Sequence, residues 1–357
     1  AGSVSGADTQ TQRDNMADHG RRSEAETREI SSMGIKHLNG FFRDNCKKSI
    51  YQIPLRNLKG KKVVVDISIY LYKFMSDDAL LENVYLMISI FRDYNIKPLF
   101  VFDGPPPKEK LPLLALRKEA KKNAENSMHE IRKNMASEED YKVKQEMEEQ
   151  LDQLKKKCVK IHSRDINKVK MLMDAYGVSY IDAPGEADEV CAHLVITNEA
   201  YACISEDMDM FVYGCPRVLR YFSILKKTCI IYDFKHMMRE LELNTVEFRQ
   251  ICISSGTDYN KEYVPLYKIL DNFKTYRSKC DEPNKEFFEW MIENTNHLNN
   301  TSIDELKHIE NMFQNKSFEG NYKNLFNNSY INTKVLHEIM NEEGFIFPTI
   351  CRVPQFL

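Results

Sequence analysis

The chain of 357 residues contains no run of 18 or more apolar residues, and its N-terminal stretch has no hydrophobic segment of the signal-peptide kind. Both absences argue against a membrane association, so an intracellular protein is expected, with nucleus or cytoplasm left open. The nine cysteines include no Cys-x-x-Cys and no Cys/His pair at zinc spacing. Several fall inside predicted elements, such as Cys191, Cys203 and Cys252, and read as buried reduced thiols. Charge of one sign is also in short supply: the net charge is only −3 although 29% of residues are charged, so any basic surface must be segregated from any acidic site. Apolar residues are plentiful at 42%, enough for a proper core in one large or two moderate domains.

Residues 1–32 are polar, rich in Ser, Thr, Gln, Asp and Arg, and without hydrophobic periodicity. They read as a disordered leader, added or native, that ends before Met33-Gly34-Ile35. The pattern then predicts a helix over Lys36–Asn45, a strand over Lys62–Asp66, one helix through Tyr70–Tyr94, and a strand over Pro98–Phe102. Further strands are expected at Val178–Asp182, Ala200–Ser205, Val218–Tyr221 and Cys229–Tyr232, with helices between several of them. Strands alternating with helices imply an α/β fold with a mostly parallel sheet flanked by helices, whose ligand sites lie beyond the carboxyl ends of the strands. From Lys108 to about Ile161 runs a helical insertion. Apolar residues recur at Leu113, Leu116, Ala120, Ala124, Met128, Ile131 and Met135, then at Val143, Met147, Leu151, Leu154, Cys158 and Ile161. Ser137 followed by Asp140 marks a helix restart, so two helices joined near Ala136 are expected. A charged hairpin that binds a partner is the plainer alternative. Between Lys108 and Lys170 there are 17 Lys and Arg against 12 Asp and Glu, in a chain that is otherwise acidic. Residues 33–240 are read as an α/β core that includes the insertion at 108–161, and residues 241–357 as a helical C-terminal region.

Carboxylates stand where hydrophobic strands give way to loops or helices. They are Asp66 after Val63-Val64-Val65, Asp103 after Leu99-Phe100-Val101-Phe102, Glu186 and Asp188 in Ala183-Pro184-Gly185-Glu186-Ala187-Asp188, and Asp207 and Asp209 in Ile204-Ser205-Glu206-Asp207-Met208-Asp209. Asp258 in Ser255-Gly256-Thr257-Asp258-Tyr259 completes the set. One Asp at a strand end is more often a cap or turn residue than a ligand. If all seven converge, cations must offset their repulsion, and hard oxygen donors suit magnesium or manganese. Residues i and i+2 of a helix point roughly 200° apart, so Glu186 and Asp188 share a site only if one stands at the helix start. Pro184 and Gly185 set such a start there.

These motifs, with Met33-Gly34-Ile35-Lys36, resemble the structure-specific 5′ nucleases of the flap endonuclease and XPG family, in order and spacing, over roughly Met33–Asn260. The resemblance implies a PIN-like core with a helical arch, and a pair of Mg²⁺ ions, replaceable by Mn²⁺, bound by Asp66, Asp103, Glu186, Asp188, Asp207, Asp209 and Asp258. It implies that Lys110 and Arg117 of the arch act on the scissile phosphate, whereas each alone would read as an exposed helix face. Tyr72 matches an aromatic that stacks on a base beside the cut, against the rival of a core tyrosine. Gly34 matches the small residue at the family's mature N-terminus, and Lys118 and Lys121 are expected to contact nucleic acid with it.

Two departures bear on substrate. Asp188 stands where the family usually has Glu. The segment Tyr259-Asn260-Lys261-Glu262-Tyr263-Val264-Pro265 lacks the Gly-rich helix–turn–helix with which the family grips duplex DNA. The implied activity is Mg²⁺-dependent cleavage of branched or single-stranded-ended DNA, by flap endonuclease or 5′–3′ exonuclease action, in replication, recombination or repair. An RNA-directed 5′–3′ exonuclease with the same core, and a catalytically silent nucleic-acid-binding module, are the alternatives. Residues Thr349–Leu357 carry no sliding-clamp motif, and a monomer is expected.

Overall fold

Val63, Val64 and Val65 are all fully buried, as expected of a strand covered on both faces. This strand lies near the middle of the sheet in the computed structural model, which describes residues 35–138, 140–260, 262–279, 285–298, 301–314, 322–326 and 328–347. The expected leader, Gly34 and the segment 349–357 lie outside the described residues. The chain divides into two units, residues 109–158 and the remainder of the described chain.

The larger unit holds seven strands: β1 (Ile50–Pro54), β2 (Lys62–Asp66), β3 (Lys97–Phe102), β4 (Ser179–Asp182), β5 (Ala202–Ile204), β6 (Arg217–Ser223) and β7 (Thr228–Asp233). They form one sheet in the order β1-β7-β6-β5-β2-β3-β4. The run from β6 to β4 is parallel, while β7 pairs antiparallel with both β6 and β1, so the sheet is mixed and mostly parallel. Side chains alternate between two cores, as the two-residue period requires. Val64, Leu99, Val101 and Cys203 face one core, and Val63, Val65, Phe100 and Ile204 the other.

The first core is covered by α1 (Leu38–Asn45), α7 (Ala187–Ile196), the short α8 (Asp209–Val212), α9 (Phe234–Glu240), α10 (Thr245–Ser255), α11 (Leu266–Lys279), α12 (Phe287–Asn294) and α13 (Ile303–Met312). The second is covered by α2 (Ser68–Ser76), α3 (Leu80–Asp93), α6 (Ser163–Tyr176) and α14 (Thr333–Glu342). The cysteines at 46, 191, 203, 215, 229 and 252 are buried and free, as their setting in predicted elements suggests.

The structure corrects two readings of the pattern. The helix expected through Tyr70–Tyr94 is two, α2 and α3, because α2 ends in a paired C-terminal cap. Asp78 N–H donates to the Met75 carbonyl and Ala79 N–H to the Phe74 carbonyl, with Asp78 left-handed at φ 52°. Strand β1 is additional; it lies at the sheet edge with only Ile53 buried, so it shows little hydrophobic alternation, and Pro54 is tolerated there.

The smaller unit is a helical hairpin of α4 (Leu111–Ser137) and α5 (Tyr141–Lys157). Asp140 caps α5, its Oδ1 accepting from Lys142 N–H at 2.8 Å, at the predicted restart. Ala124 and Leu151 are buried, and the Cys158 thiol reaches the Lys121 carbonyl, so the two apolar stripes face each other across the hairpin. Among the described residues no helix is long and apolar enough to cross a membrane.

Candidate metal and nucleic-acid site

The parallel strands end at one edge of the sheet, and carboxylates follow three of them. Asp66 is the last residue of β2 and only 4% exposed. Its Oδ1 accepts from Ser68 N–H at 3.2 Å and its Oδ2 from the Ser205 hydroxyl at 2.9 Å. Burial pushes the Asp66 carboxyl up to about 7, and the charges of Asp103 and then Asp207 push in the same direction against the two hydrogen bonds.

Asp103 follows β3, and its Oδ1 accepts from Ala187 N–H at 2.9 Å, in the first turn of α7, where free amides and the helix dipole favour an anion. Two backbone bonds lock the same two segments together: Ala183 N–H to the Phe102 carbonyl at 2.9 Å, and Gly104 N–H to the Gly185 carbonyl at 2.7 Å. Gly104 is required by this approach, since a Cβ there would lie 2.2 Å from the Ala183 carbonyl oxygen. Gly104→Ala is therefore expected to force the segments bearing Asp103 and Glu186 apart and to cost about 3 kcal/mol or more, measurable as a lowered urea midpoint.

Glu186 is the N-cap residue of α7, with φ −75° and ψ 143°, and Asp188 lies in its first turn, so the helix start falls where Pro184-Gly185 sets it. The Tyr259 hydroxyl donates to Glu186 Oε2. Tyr259 is itself buried, and burial followed by the charges around it holds its hydroxyl protonated far above the usual range. Tyr259→Phe deletes this bond to a carboxylate and is expected to lower stability by about 1.5–3 kcal/mol in thermal melts. Asp207 and Asp209 follow β5. Asp207 Oδ1 accepts from Asp209 N–H at 2.9 Å, and Asp207 N–H donates to the Ser205 hydroxyl oxygen at 3.1 Å. Both carboxylates are 5% exposed.

Asp66 and Asp188 share a neighbour. After burial and its contact with Cys203, the Cys191 thiol is raised by both Asp66 and Asp188, so these two acids flank it. Asp258 is half-buried on the loop after α10, beside the Tyr259 that reaches Glu186. That loop is pinned by Asn260, whose Oδ1 accepts from the Thr257 N–H and hydroxyl at 2.9 and 2.7 Å.

Among the described residues no three His, Cys, Asp or Glu side chains already stand at chelating spacing. Asp66, Asp103 and Asp207 act on one another, and Asp66 and Asp188 on one thiol, without a finished coordination sphere. Their chemistry nonetheless fits a divalent cation: the donors are hard oxygens, and burial and then Asp103 disfavour the ionised form of Asp66, which a cation would offset. Tyr72 on α2 is 48% exposed, unlike the buried Tyr70 two residues before it, which removes the reading of Tyr72 as a core tyrosine. Lys110, Arg117, Lys118 and Lys121 lie in the helical unit, Lys118 exposed and the other three half-buried. The pattern did not single out Ser205 and Tyr259, which hold Asp66 and Glu186, although both stand inside the acidic motifs.

Two family descriptions match the chain, the XPG N-terminal domain over residues 33–124 and the XPG I-region over 177–258. The chain belongs to the XPG and flap endonuclease family. Every site residue that the sequence singled out falls within the two matched regions. The chain is 32% identical over 267 residues to flap endonuclease 1 of Drosophila mojavensis, covering 69% of this chain and 66% of that protein. It is 31% identical over 243 residues to flap endonuclease 1 of Mus musculus, covering 64% and 61%. The chain thus spans less than two thirds of the length of these relatives.

Among solved structures, the fold resembles the catalytic core of Rad2 in complex with DNA substrate, with a TM-score of 0.60 at 19% identity, over 87% of this chain and 96% of that one. It also resembles flap endonuclease-1 from Methanococcus jannaschii, with a TM-score of 0.56 at 19% identity over 82% and 90%. Human GEN1 in complex with Holliday junction DNA gives 0.57 at 18% identity over 87% and 73%. The expected PIN-like architecture is therefore the one the chain adopts.

Proposed function

We propose that this chain is a divalent-metal-dependent, structure-specific 5′ nuclease that hydrolyses phosphodiesters in branched or single-stranded-ended DNA, in replication, recombination or repair. The observation that carries the reading is the acidic edge of the sheet, where Asp66 is held near neutrality by its burial and by Asp103 and Asp207. In this reading Asp66, Asp103, Glu186, Asp188, Asp207, Asp209 and Asp258 hold two Mg²⁺ ions, with Mn²⁺ as a substitute. Bound there, such cations would polarise a phosphate and make a water molecule more acidic. The shorter Asp188 leaves the donor chemistry unchanged and alters only reach.

The remaining roles belong to the chain's own side chains. Lys110 and Arg117 stabilise negative charge on the scissile phosphate, where it grows as the bond breaks. Lys118 and Lys121 add sequence-independent attraction for the backbone. Tyr72, exposed on α2, offers its ring to an unpaired base, a contact of about 1–3 kcal/mol. Gly34 completes the set as a small residue that leaves room for substrate.

The Rad2 core in complex with DNA substrate supports DNA as the ligand class, and GEN1 in complex with Holliday junction DNA supports a branched form of it. The glycine-free stretch between Gly256 and Gly320 favours a second reading, RNA-directed 5′–3′ exonuclease action, because no Gly-rich turn follows Asp258 to grip a duplex. The deciding experiment offers Mg²⁺, a 5′-labelled double-flap DNA and an RNA of equal length to protein beginning at Gly34. Cutting near the DNA junction, abolished by EDTA, is expected. Degradation of the RNA alone would move the assignment to RNA turnover, and inertness toward both would leave a binding module.

A further inference from the structure

Strand β6 breaks its ladder where the sheet meets the acidic edge. Its register against β7 shifts between Arg220 and Ser223, and inside that bulge Tyr221 takes a left-handed backbone, φ 54°. An aromatic residue adopts that conformation only against a steric cost that glycine or asparagine would avoid. The surroundings hold it there. Tyr221 N–H donates to Glu206 Oε1 at 2.6 Å, and the Tyr221 hydroxyl accepts from Asn39 Nδ2 at 2.9 Å. Buried Arg220 lies 5.1 Å from the ring centre while donating to Asn39 Oδ1 at 2.9 Å and to the Glu206 carbonyl at 2.8 Å. The ring is thereby fixed in place, yet Tyr221 remains 41% exposed. Its mount, Glu206, is the chain neighbour of Asp207.

A separate feature adjoins it. Arg43 of α1, exposed, lies over the same ring, 5.2 Å from its centre. Arg43 also lines a surface pocket of about 250 Å³ together with Lys47, Ile50, Tyr51, Gln52 and Ile230. That lining carries two cations and no carboxylate, and Tyr51 within it is 48% exposed. The protein as a whole is slightly acidic, so a cationic pocket joined to a rigid exposed ring is a local arrangement with its own electrostatic preference.

We propose that Tyr221, Arg43 and Lys47 form a further nucleic-acid contact, in which the exposed Arg43 moves off the Tyr221 ring onto a phosphate shared with Lys47 and an unpaired base takes its place on the ring. The contact deepens the nuclease reading and rests on it for its ligand class. Every base has a π-face, so a single ring on a fixed mount accepts any of them, and the pair of cations fixes the backbone without reading sequence. The strain has a purpose in this arrangement: it turns the ring outward at a bulge, where a regular strand would direct it along the pleat.

The test is equilibrium binding of a fluorescent single-stranded oligonucleotide, DNA and RNA in separate arms, in EDTA so that nothing is cut. Tyr221→Gly suits the left-handed backbone, so its melting temperature should hold while affinity falls about tenfold. Tyr221→Trp should restore most of that loss. The double variant Arg43→Ala/Lys47→Ala should flatten the dependence of log K on log salt by roughly 1.4, the expectation for two lost phosphate contacts on a single strand. Wild-type affinity in a folded Tyr221→Gly protein overturns the proposal. Cleavage by the wild-type preparation on adding Mg²⁺ judges the nuclease reading separately: binding sensitive to Tyr221→Gly without any cleavage would sink that reading and leave the contact standing.

Discussion

Asp207→Asn is expected to lower Mg²⁺-dependent cleavage by about a thousandfold while leaving the fold and nucleic-acid binding intact. The side chain is 5% exposed, and its Oδ1 accepts from Asp209 N–H, a bond that an asparagine carbonyl oxygen can also make. The substitution therefore keeps volume and this hydrogen bond and removes a negative charge. In an uncharged environment such a change would be nearly silent. Here it removes one of the two charges that press on Asp66, so the cluster's attraction for cations falls directly. Because like charges destabilise the metal-free protein, the variant should melt at or above the wild-type temperature in EDTA, the pattern of a residue kept for function against stability. Wild-type cleavage rates in the variant would remove Asp207 from the site. A lowered melting temperature would show that the carboxylate is held by favourable partners and would contradict the repulsive cluster.

The acidic edge was legible because its signals are local. An apolar run that stops at an acid reads as a buried strand ending at a loop, and β2 with Asp66 and β3 with Asp103 have that form. Pro184-Gly185 announced the start of α7, and Ser137 to Asp140 the restart of the second arch helix, since caps are written in adjacent residues. What escaped the pattern depends on partners distant in sequence. Tyr259 meets Glu186 across 73 positions, and Ser205 meets Asp66 across 139. Strand β1 escaped because an edge strand buries too little to show alternation, and the break after α2 because one left-handed aspartate leaves the apolar spacing of α2 and α3 undisturbed. Tyr221 carried no signal at all: nothing in a tyrosine between Arg220 and Phe222 foretells a left-handed backbone, which only the bulge against β7 creates.

Metal-free protein should lose stability as the pH rises from about 4 to about 7, and Asp66→Asn should abolish much of that loss. A carboxyl whose folded value lies above its unfolded value contributes stability that is complete below the unfolded value and disappears as pH climbs through the folded one. For Asp66 those limits are 3.8 and about 7. With the side chain fully buried, the whole interval acts on stability, and its full height is on the order of 4 kcal/mol. Asparagine can accept from Ser68 N–H through its carbonyl oxygen and donate to the Ser205 hydroxyl oxygen, so the variant keeps both contacts without a titrating group. Urea melts of both proteins in EDTA should therefore nearly coincide at pH 4 and separate toward pH 8, with the variant the more stable. Mg²⁺ should raise the wild type toward the variant at pH 8 and do little at pH 4, because a cation competes with the proton for the same carboxylate. A gap that is flat with pH would mean that Asp66 ionises without penalty, and the cluster would then have no electrostatic demand for a metal.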